Sequence, residues 1–450
     1  MYQDLTKGKI GKTLILFALP MMAGNFLQQF YNIADTLIVG RVLGRNALAA
    51  VGSAYTLMTF LTSIFLGFSM GAGALFSIYY GKGDKKSLSE AITQGFLLNM
   101  GVTIVVNVMV YVLLEKLLVW LQIPAEVMDG MRQYLLIIFA GLIASSVYNF
   151  FACMLRALGN SLVPLVFLGV STVLNVGLEI GRAHVGLDIL FVIGFKAGIS
   201  GAAYATILSQ YLSAIGICIY VAIACRDLRP KRDEFRWNKQ MVGELLNLST
   251  MTCIQQSVMN LGILMVQGLV NSFGAVTMAA FAAAVKIDTV AYLPVEDFGN
   301  AYATFIAQNF GAEARERIKK GTKQAFAISI LFAAIMSLVV CIFAQPLMQI
   351  FVGASETHVI ASGVQYLRIE GACYVGIACL FLLYGYYRAV KKAFMSVVLT
   401  VISLGTRVLL AYLLAPGIGE IGIWMAIPIG WALADITGLL YARKGVQIRS

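Results

Sequence analysis

The chain has 450 residues, of which 60% are hydrophobic and only 12% charged, and it carries a net charge of +11. A water-soluble domain of this size cannot bury so much apolar surface, so the composition indicates a polytopic helical membrane protein. The positive charge does not mark a nucleic-acid binder, because the basic residues sit in short breaks between apolar runs, the positive-inside pattern.

In chain order, the first run, Thr13 to Arg41, reads TLILFALPMMAGNFLQQFYNIADTLIVGR. It is long enough to cross a bilayer, which takes roughly 20 residues. Its length, Pro20 and the lack of a small-residue cleavage site set it apart from a removable signal peptide. Asn25, Gln28, Asn32 and Asp35 recur at steps of three or four and share one helical face, opposite Leu, Ile, Phe, Val and Met. Such a stripe either lines a cavity or hydrogen-bonds to neighbouring helices. Asp35 carries the most weight. A carboxylate facing lipid costs about 2.5 to 3.5 kcal/mol on insertion scales, and an intramembrane acid is a functional candidate by default.

Further runs at about 46–80, 90–114, 130–156, 162–194, 200–225, 243–272, 276–309, 323–350, 359–387, 394–415 and 420–442 complete a predicted set of twelve spans. Alternate breaks are basic. They hold Lys7, Lys9 and Lys12, then Lys82, Lys85 and Lys86, then Arg156, then RDLRPKRDEFRWNK, then Arg315, Arg317, Lys319, Lys320 and Lys323, then Arg388, Lys391 and Lys392, then Arg443, Lys444 and Arg449. The breaks between them, such as SFGAV and PGIGEIG, are nearly neutral. This alternation predicts that both termini are cytoplasmic. The seven cysteines lie in or beside apolar runs without a CxxC pair, as small buried hydrophobes do.

The sixth break is the longest and most charged, and it predicts a first lobe at 1–225, a cytoplasmic linker at 226–240 and a second lobe at 241–450. The halves are similar in sequence. GKGDKKSLSEAITQGF, from Gly81, aligns with GAEARERIKKGTKQAF, from Gly311, and Gly44, Ala49, Ala50 and Ala54 meet Gly274, Ala279, Ala280 and Ala284 at the same offset of 230. Arg156-Ala157 meets Arg388-Ala389 at 232, and Gly201 meets Gly422 at 221. Six spans per half is an even number, so the halves run in the same direction, a parallel repeat typical of transporters.

The drop in offset locates about ten surplus residues in LNVGLEIGRAHVGLDILFV, where Val-Gly-Leu occurs at 176–178 and again at 185–187. The surplus puts Glu179, Arg182 and His184 into one span. Removing 179–187 leaves the ordinary apolar stretch LNVGLDILFV. One encoding of EIGRAHV, GAG-ATC-GGA-AGA-GCA-CAC-GTC, resembles a common sequencing-library adapter, so these nine residues are read as an insert foreign to the span. The other reading is a genuine loop or helix break beside a site.

Gly67-Phe68-Ser69-Met70-Gly71 matches the nucleophile pattern GxSxG in letters only. That pattern needs a strand–turn–helix setting and a His base, whereas this stretch lies inside a span and the chain has only His184 and His358. Close helix packing explains the small residues better. With no metal-ligand set, Walker motif or dinucleotide motif, neither an intramembrane enzyme nor an ATP-driven pump is supported, and no cofactor is expected. The second half has its own membrane charges: Lys286, Asp288, Glu296 and Asp297 around Pro294, then Glu370, Arg407 and Asp435. Pairing between helices is the expected role of Lys286 and Arg407. Met265 stands at the repeat position of Asp35, and the seventh span offers uncharged Gln255, Gln256, Asn260 and Gln267.

With these features in view, the chain resembles the multidrug and toxic compound extrusion (MATE) family over nearly its whole length. The resemblance is carried by LPMMAGNFLQQFYNIADTLIVGRVLG, MGAGALFSIYYGKGD, MLRALGN, GISGAAYATILSQ and DFGNAYATFIAQNFGAEA, in that order. It implies an all-α exporter of two six-helix lobes in a bacterial cytoplasmic membrane, driven by a proton or sodium gradient. The family's first-span acid falls on Asp35. Its fifth-span Asn and the acid four residues on fall on Asn175 and, once the insert is discounted, Asp188, although Glu179 holds that place as written. Its sixth-span Thr falls on Thr206. Some members use a seventh-span acid where this chain has Gln255 or Gln256. The expected reading is a monomeric secondary antiporter exporting organic, cationic and amphipathic compounds. Asp35, Asn175, Asp188 and Thr206 would couple the cation, with Na+ possible at Asp35. Gln28, Asn32, Gln256, Asn260, Asp288 and Glu370 would face the substrate. The rival is a lipid-linked precursor flippase, which calls for a basic central cavity, and Lys286 and Arg407 are its only candidates.

Overall fold

The computed structural model describes residues 3–120, 125–176, 178–180, 183–187, 190–195, 197–228 and 237–445. Asp188 lies outside the described residues. So do the side chains of Asp35, Glu179 and His184, although their backbones belong to described elements. The chain is almost wholly α-helical. The helices are α1 (Ile10–Leu43), α2 (Arg45–Lys82), α3 (Lys85–Trp120), α4 (Ala125–Ala157), α5 (Leu162–Val176), α6 (Gly198–Ala224), α7 (Lys239–Asn271), α8 (Ala275–Gly311), α9 (Arg315–Phe351), α10 (Thr357–Gly371), α11 (Tyr374–Ala389), α12 (Ala393–Ile418) and α13 (Glu420–Gly445). Among the described residues, ten helices are long and apolar enough to cross a membrane, and α10 with α11, bent by 51°, makes up to eleven if the pair is one span. The remaining expected run is α5, which is apolar but has only 15 residues.

That shortfall is the one departure from the predicted span order. The fifth run was expected to reach residue 194, but its helix stops at Val176 and an antiparallel hairpin follows. Strands β1 (Leu178–Ile180) and β2 (Ala183–Val185) pair Leu178 with Val185, Glu179 with His184 and Ile180 with Ala183. A five-residue π-helix at Leu190–Gly194 leads into α6. The hairpin coincides with the surplus residues. Their glycines and charges oppose continuation of an apolar helix, because Gly disfavours the helical state and a charge inside a span is costly.

Left-handed backbone positions support the repeat independently of side chains. Gly44 and Gly274 have φ of 84° and 94°, Gly83 and Glu313 74° and 55°, Gly159 and Lys391 84° and 61°, and Gly198 and Gly419 60° and 68°. The offsets are 230, 230, 232 and 221, as in the sequence alignment. The same turns therefore recur between the same spans, even where the second half carries Glu or Lys in a conformation that favours glycine.

The chain divides into two compact units. The first comprises Met1–Gln3 and Leu19–Ser249, and the second Asp4–Ala18 and Thr250–Ser450. In the first, α4 packs on α2, α3 and α6 around Phe65, Leu135, Phe139 and Leu142. Asn99 donates to the Ser146 hydroxyl at 2.8 Å, and the Thr103 and Ser146 hydroxyls lie 2.6 Å apart, which ties α3 to α4. The GxSxG stretch is interior to α2. A side chain on Gly71 would come within 2.4 Å of the Ser249 Cα, so this glycine admits the backbone of α7, in line with the packing reading.

In the second unit, α8 packs against α9, α10 and α11, and α12 pairs with α13. Its segment before α1 is held by Arg317, whose guanidinium donates to the carbonyls of Leu5, Lys7 and Gly8 at 2.6–3.3 Å. Burial alone would raise Asp4, but hydrogen bonds from Thr6 and the nearby Lys7 outweigh it and hold its carboxyl below the usual range. Large apolar residues form outward stripes, with Leu331, Ile335, Leu338 and Ile342 on α9 and Val105, Val108 and Val112 on α3, the last 75% exposed. Stripes of this kind match lipid and would be costly in water.

Deleting Glu179–Leu187 is expected to raise the yield of folded protein and leave transport intact, because it rejoins two apolar half-spans. Fluorescence-detected gel filtration and a transport assay measure both. Abolished transport, together with the nine codons in re-amplified source DNA, would show that the hairpin is a working part.

Candidate functional site

The first unit brings together several residues singled out in the sequence. Helices α5 and α6 pack against each other in an antiparallel register. The Ser213 hydroxyl donates to the Phe167 carbonyl at 2.9 Å, and the Ser171 hydroxyl donates to the Ser209 carbonyl at 3.0 Å. One turn further along each helix, Asn175 comes level with Ala205 and Thr206. Asn175 is fully buried, and among the described residues neither polar atom of its side-chain amide has a partner. Leaving a buried amide unpaired costs about 1–3 kcal/mol, so Asn175 is the polar group of this unit that most calls for a partner. The Tyr31 hydroxyl lies 3.1 Å from the Thr206 hydroxyl, which ties α1 to α6 at this level. Asp35 follows Tyr31 by one turn of α1. Asn32 is partly buried and Gln28 exposed. The meeting of α1, α5 and α6 is thus a polar node within an apolar bundle.

A second node lies inside the second unit. Asp288 on α8 and Glu370 on α10 are each 3% exposed. Tyr374, the first residue of α11, donates to one Asp288 oxygen, and Tyr366 donates to the other at 3.4 Å. Glu370 lies against Asp288 and Tyr366, with Arg407 the cation in electrostatic reach of both acids. Tyr366, Glu370 and Tyr374 recur at steps of four, a spacing visible in the sequence, where the tyrosines look like ordinary aromatic residues of a span. Phe281 stacks on Trp424 at 5.4 Å and Tyr366 meets Trp424 edge-on at 5.0 Å, walling the node in aromatic rings. A pair of buried carboxyls with two phenol donors and one guanidinium can hold a proton or a small monovalent cation between its oxygens.

The other second-half candidates fall elsewhere. Gln256 is buried and Asn260 partly buried on α7, where the Asn260 amide donates to the Gln256 carbonyl at 3.2 Å. The expected pairing of Lys286 is not found. It is exposed, and none of the salt bridges among the described residues includes it. Arg388, read in the sequence as a basic break residue and the repeat partner of Arg156, is buried and donates to the Asn300 side chain at 2.9 Å, near Glu296.

An all-helical chain with a parallel repeat, lipid-matching stripes and buried polar nodes inside each unit is a polytopic membrane transporter. The MatE family profile matches residues 20–180 and 248–413. The chain is 29% identical over 449 residues to the probable multidrug resistance protein YpnP of Bacillus subtilis, covering 98% of this chain and 97% of that one. It is 25% identical over 439 residues to the probable multidrug resistance protein NorM of Thermotoga maritima, covering 95% and 90%. The fold matches the outward-facing structure of a multidrug resistance MATE family transporter of the MOP superfamily with a TM-score of 0.90 at 20% identity, over 98% of this chain and 97% of that one. The chain belongs to the MatE family, whose members are transporters and not enzymes.

Tyr374→Phe keeps the ring and removes the donor to Asp288. It is expected to lower stability by about 1–3 kcal/mol in the parent and by much less in an Asp288→Leu background. Denaturation of the four proteins of this cycle in detergent provides the measurement. Additive effects would show that the bond contributes nothing.

Proposed function

We propose that this chain is a secondary antiporter that exports organic, cationic and amphipathic compounds in exchange for H+ or Na+. The observation that supports it best is the node where the unpaired Asn175 amide comes level with Thr206, itself against Tyr31, one turn from Asp35. In this reading Asp35 loads the coupling cation, and Asn175, Thr206 and Asp188 shape its site with neutral and acidic oxygens. The same oxygen-rich set suits a proton or a dehydrated Na+. The chain's similarity to the probable multidrug resistance proteins of Bacillus subtilis and Thermotoga maritima supports drugs or drug-like metabolites as cargo. The lobes at 1–225 and 241–450 act as the two halves of an alternating-access cycle, with the linker at 226–240 and both termini in the cytoplasm of a bacterial inner membrane.

Gln28, Asn32, Gln256 and Asn260 line the substrate path in this reading. Asp288 and Glu370 form a second charge site that the substrate or a further cation loads, favoured by their burial beside each other and beside Arg407. A flippase for lipid-linked anions is disfavoured. Arg407 lies within electrostatic reach of the two acids, which offset its charge, and Lys286 lies on an exposed face.

Asp35→Asn keeps size and hydrogen bonding but cannot change charge. A cation can shift the outward–inward equilibrium only through different affinities for the two states. The variant is therefore expected to insert normally and to bind an organic cation within a few-fold of the parent, while gradient-driven export falls to background. Asp288→Asn and Glu370→Gln are expected to be milder. Export by Asp35→Asn at the parental rate, with either of the other two dead, would move the coupling site to the second lobe.

A further inference from the structure

A cleft of about 880 Å³ opens in the second unit, at the ends of α8, α10, α12 and α13 that carry the nearly neutral breaks. Its size is within the usual range for small-molecule sites. It lies on a different face of α10 from the buried acids. Ala361, Gln365 and Arg368, at helical spacing, line the cleft, whereas Tyr366 and Glu370 turn to Asp288.

Glu420, the first residue of α13, lines this cleft with its rotamer fixed. One of its oxygens accepts hydrogen bonds from the Thr277 hydroxyl on α8 at 2.8 Å and from the Ser362 hydroxyl on α10 at 2.9 Å. A carboxylate has about four acceptor positions, so two remain. Arg368 lines the same cleft. Among the described residues, neither Glu420 nor Arg368 forms an ion pair within 4.0 Å. The Glu420 carboxylate and the Arg368 guanidinium thus face a common space without neutralising each other, together with the His358 imidazole and beside an apolar wall of Phe273, Val276 and Ile369. A simple organic cation would meet the guanidinium there, and a simple anion would meet the carboxylate. A molecule carrying both charges on an apolar body satisfies all three features, and the clamped Glu420 is already oriented to receive it.

We propose that this cleft binds a zwitterionic amphiphile, with its ammonium on Glu420, its anionic group on Arg368 and its apolar body against Phe273, Val276 and Ile369. Two sources supply that chemistry: an ethanolamine phospholipid of the surrounding leaflet, and a soluble amino-acid-like amphiphile. The inference concerns equilibrium binding, so it stands apart from the coupling cation and from Asp35.

The test is calorimetry on the purified full chain in a neutral detergent, with no gradient. The probes are short-chain phosphatidylethanolamine, short-chain phosphatidylglycerol (an anion without the ammonium) and free tryptophan. At least one zwitterion is expected to saturate a site below about 1 mM, with Glu420→Gln and Arg368→Gln each weakening it by about tenfold or more. Binding of the ethanolamine lipid alone assigns the cleft to the bilayer, and binding of tryptophan alone assigns it to a soluble ligand. Arg368→Gln leaves the Thr277–Glu420–Ser362 bracket untouched, so it gives a result even if Glu420→Gln is poorly folded. The proposal fails if neither zwitterion binds below about 1 mM, if phosphatidylglycerol binds as tightly as the ethanolamine lipid, or if Arg368→Gln binds like the parent.

Discussion

A bilayer interior supplies no hydrogen-bond partners, so every polar group placed there must find one within the protein or be reserved for a ligand. Most of the buried hydroxyls follow the first course. Thr103, Ser146, Ser171 and Ser213 bond across helix contacts or to carbonyls, and they fix the register of neighbouring spans. In the first unit the Asn175 amide has no partner among the described residues. In the second unit, Asp288 and Glu370 are kept in the interior by two phenols and one guanidinium. The same constraint explains the outward rows of Leu, Ile and Val on α3 and α9, which are costly in water and neutral in lipid.

The repeat was legible because turns constrain sequence more tightly than spans do. Any apolar residue serves on a lipid-facing stripe, but a left-handed turn favours glycine. Gly44/Gly274 and Gly198/Gly419 therefore keep glycine where the span sequences have diverged, while at Gly83/Glu313 and Gly159/Lys391 only the left-handed turn persists. The spans themselves followed from hydropathy, although charged helix ends such as residues 315–322 of α9 lay outside the apolar run. The fifth run was the exception: a hydropathy reading bridges a short hairpin between two apolar stretches. The change of offset from 232 to 221 exposed the surplus there, but not its β-pairing.

The meeting of Asn175 with Thr206 was legible only in part. Resemblance named those residues, but nothing in the sequence showed that Tyr31 would meet Thr206 or that the α5–α6 register would bring Asn175 level with it. In the second unit the acids were visible as charges in apolar runs, whereas the tyrosines that hold them read as ordinary aromatic residues of a span. Lys286 shows the opposite error. A charge in an apolar run was expected to pair, yet it stands on an exposed face of α8. Met265 at the repeat position of Asp35 means that the two units, built on one plan, place their acids at different depths of the sequence pattern.

The central claim is that an ion gradient, loaded on buried acids, drives export. The most direct measurement is uptake of a fluorescent organic cation into proteoliposomes holding the full chain, with a proton gradient and a sodium gradient imposed separately. The account predicts uptake with one of the two gradients and its collapse when an ionophore dissipates that gradient. Uptake that proceeds equally with neither gradient, or that matches protein-free liposomes under both, would contradict it.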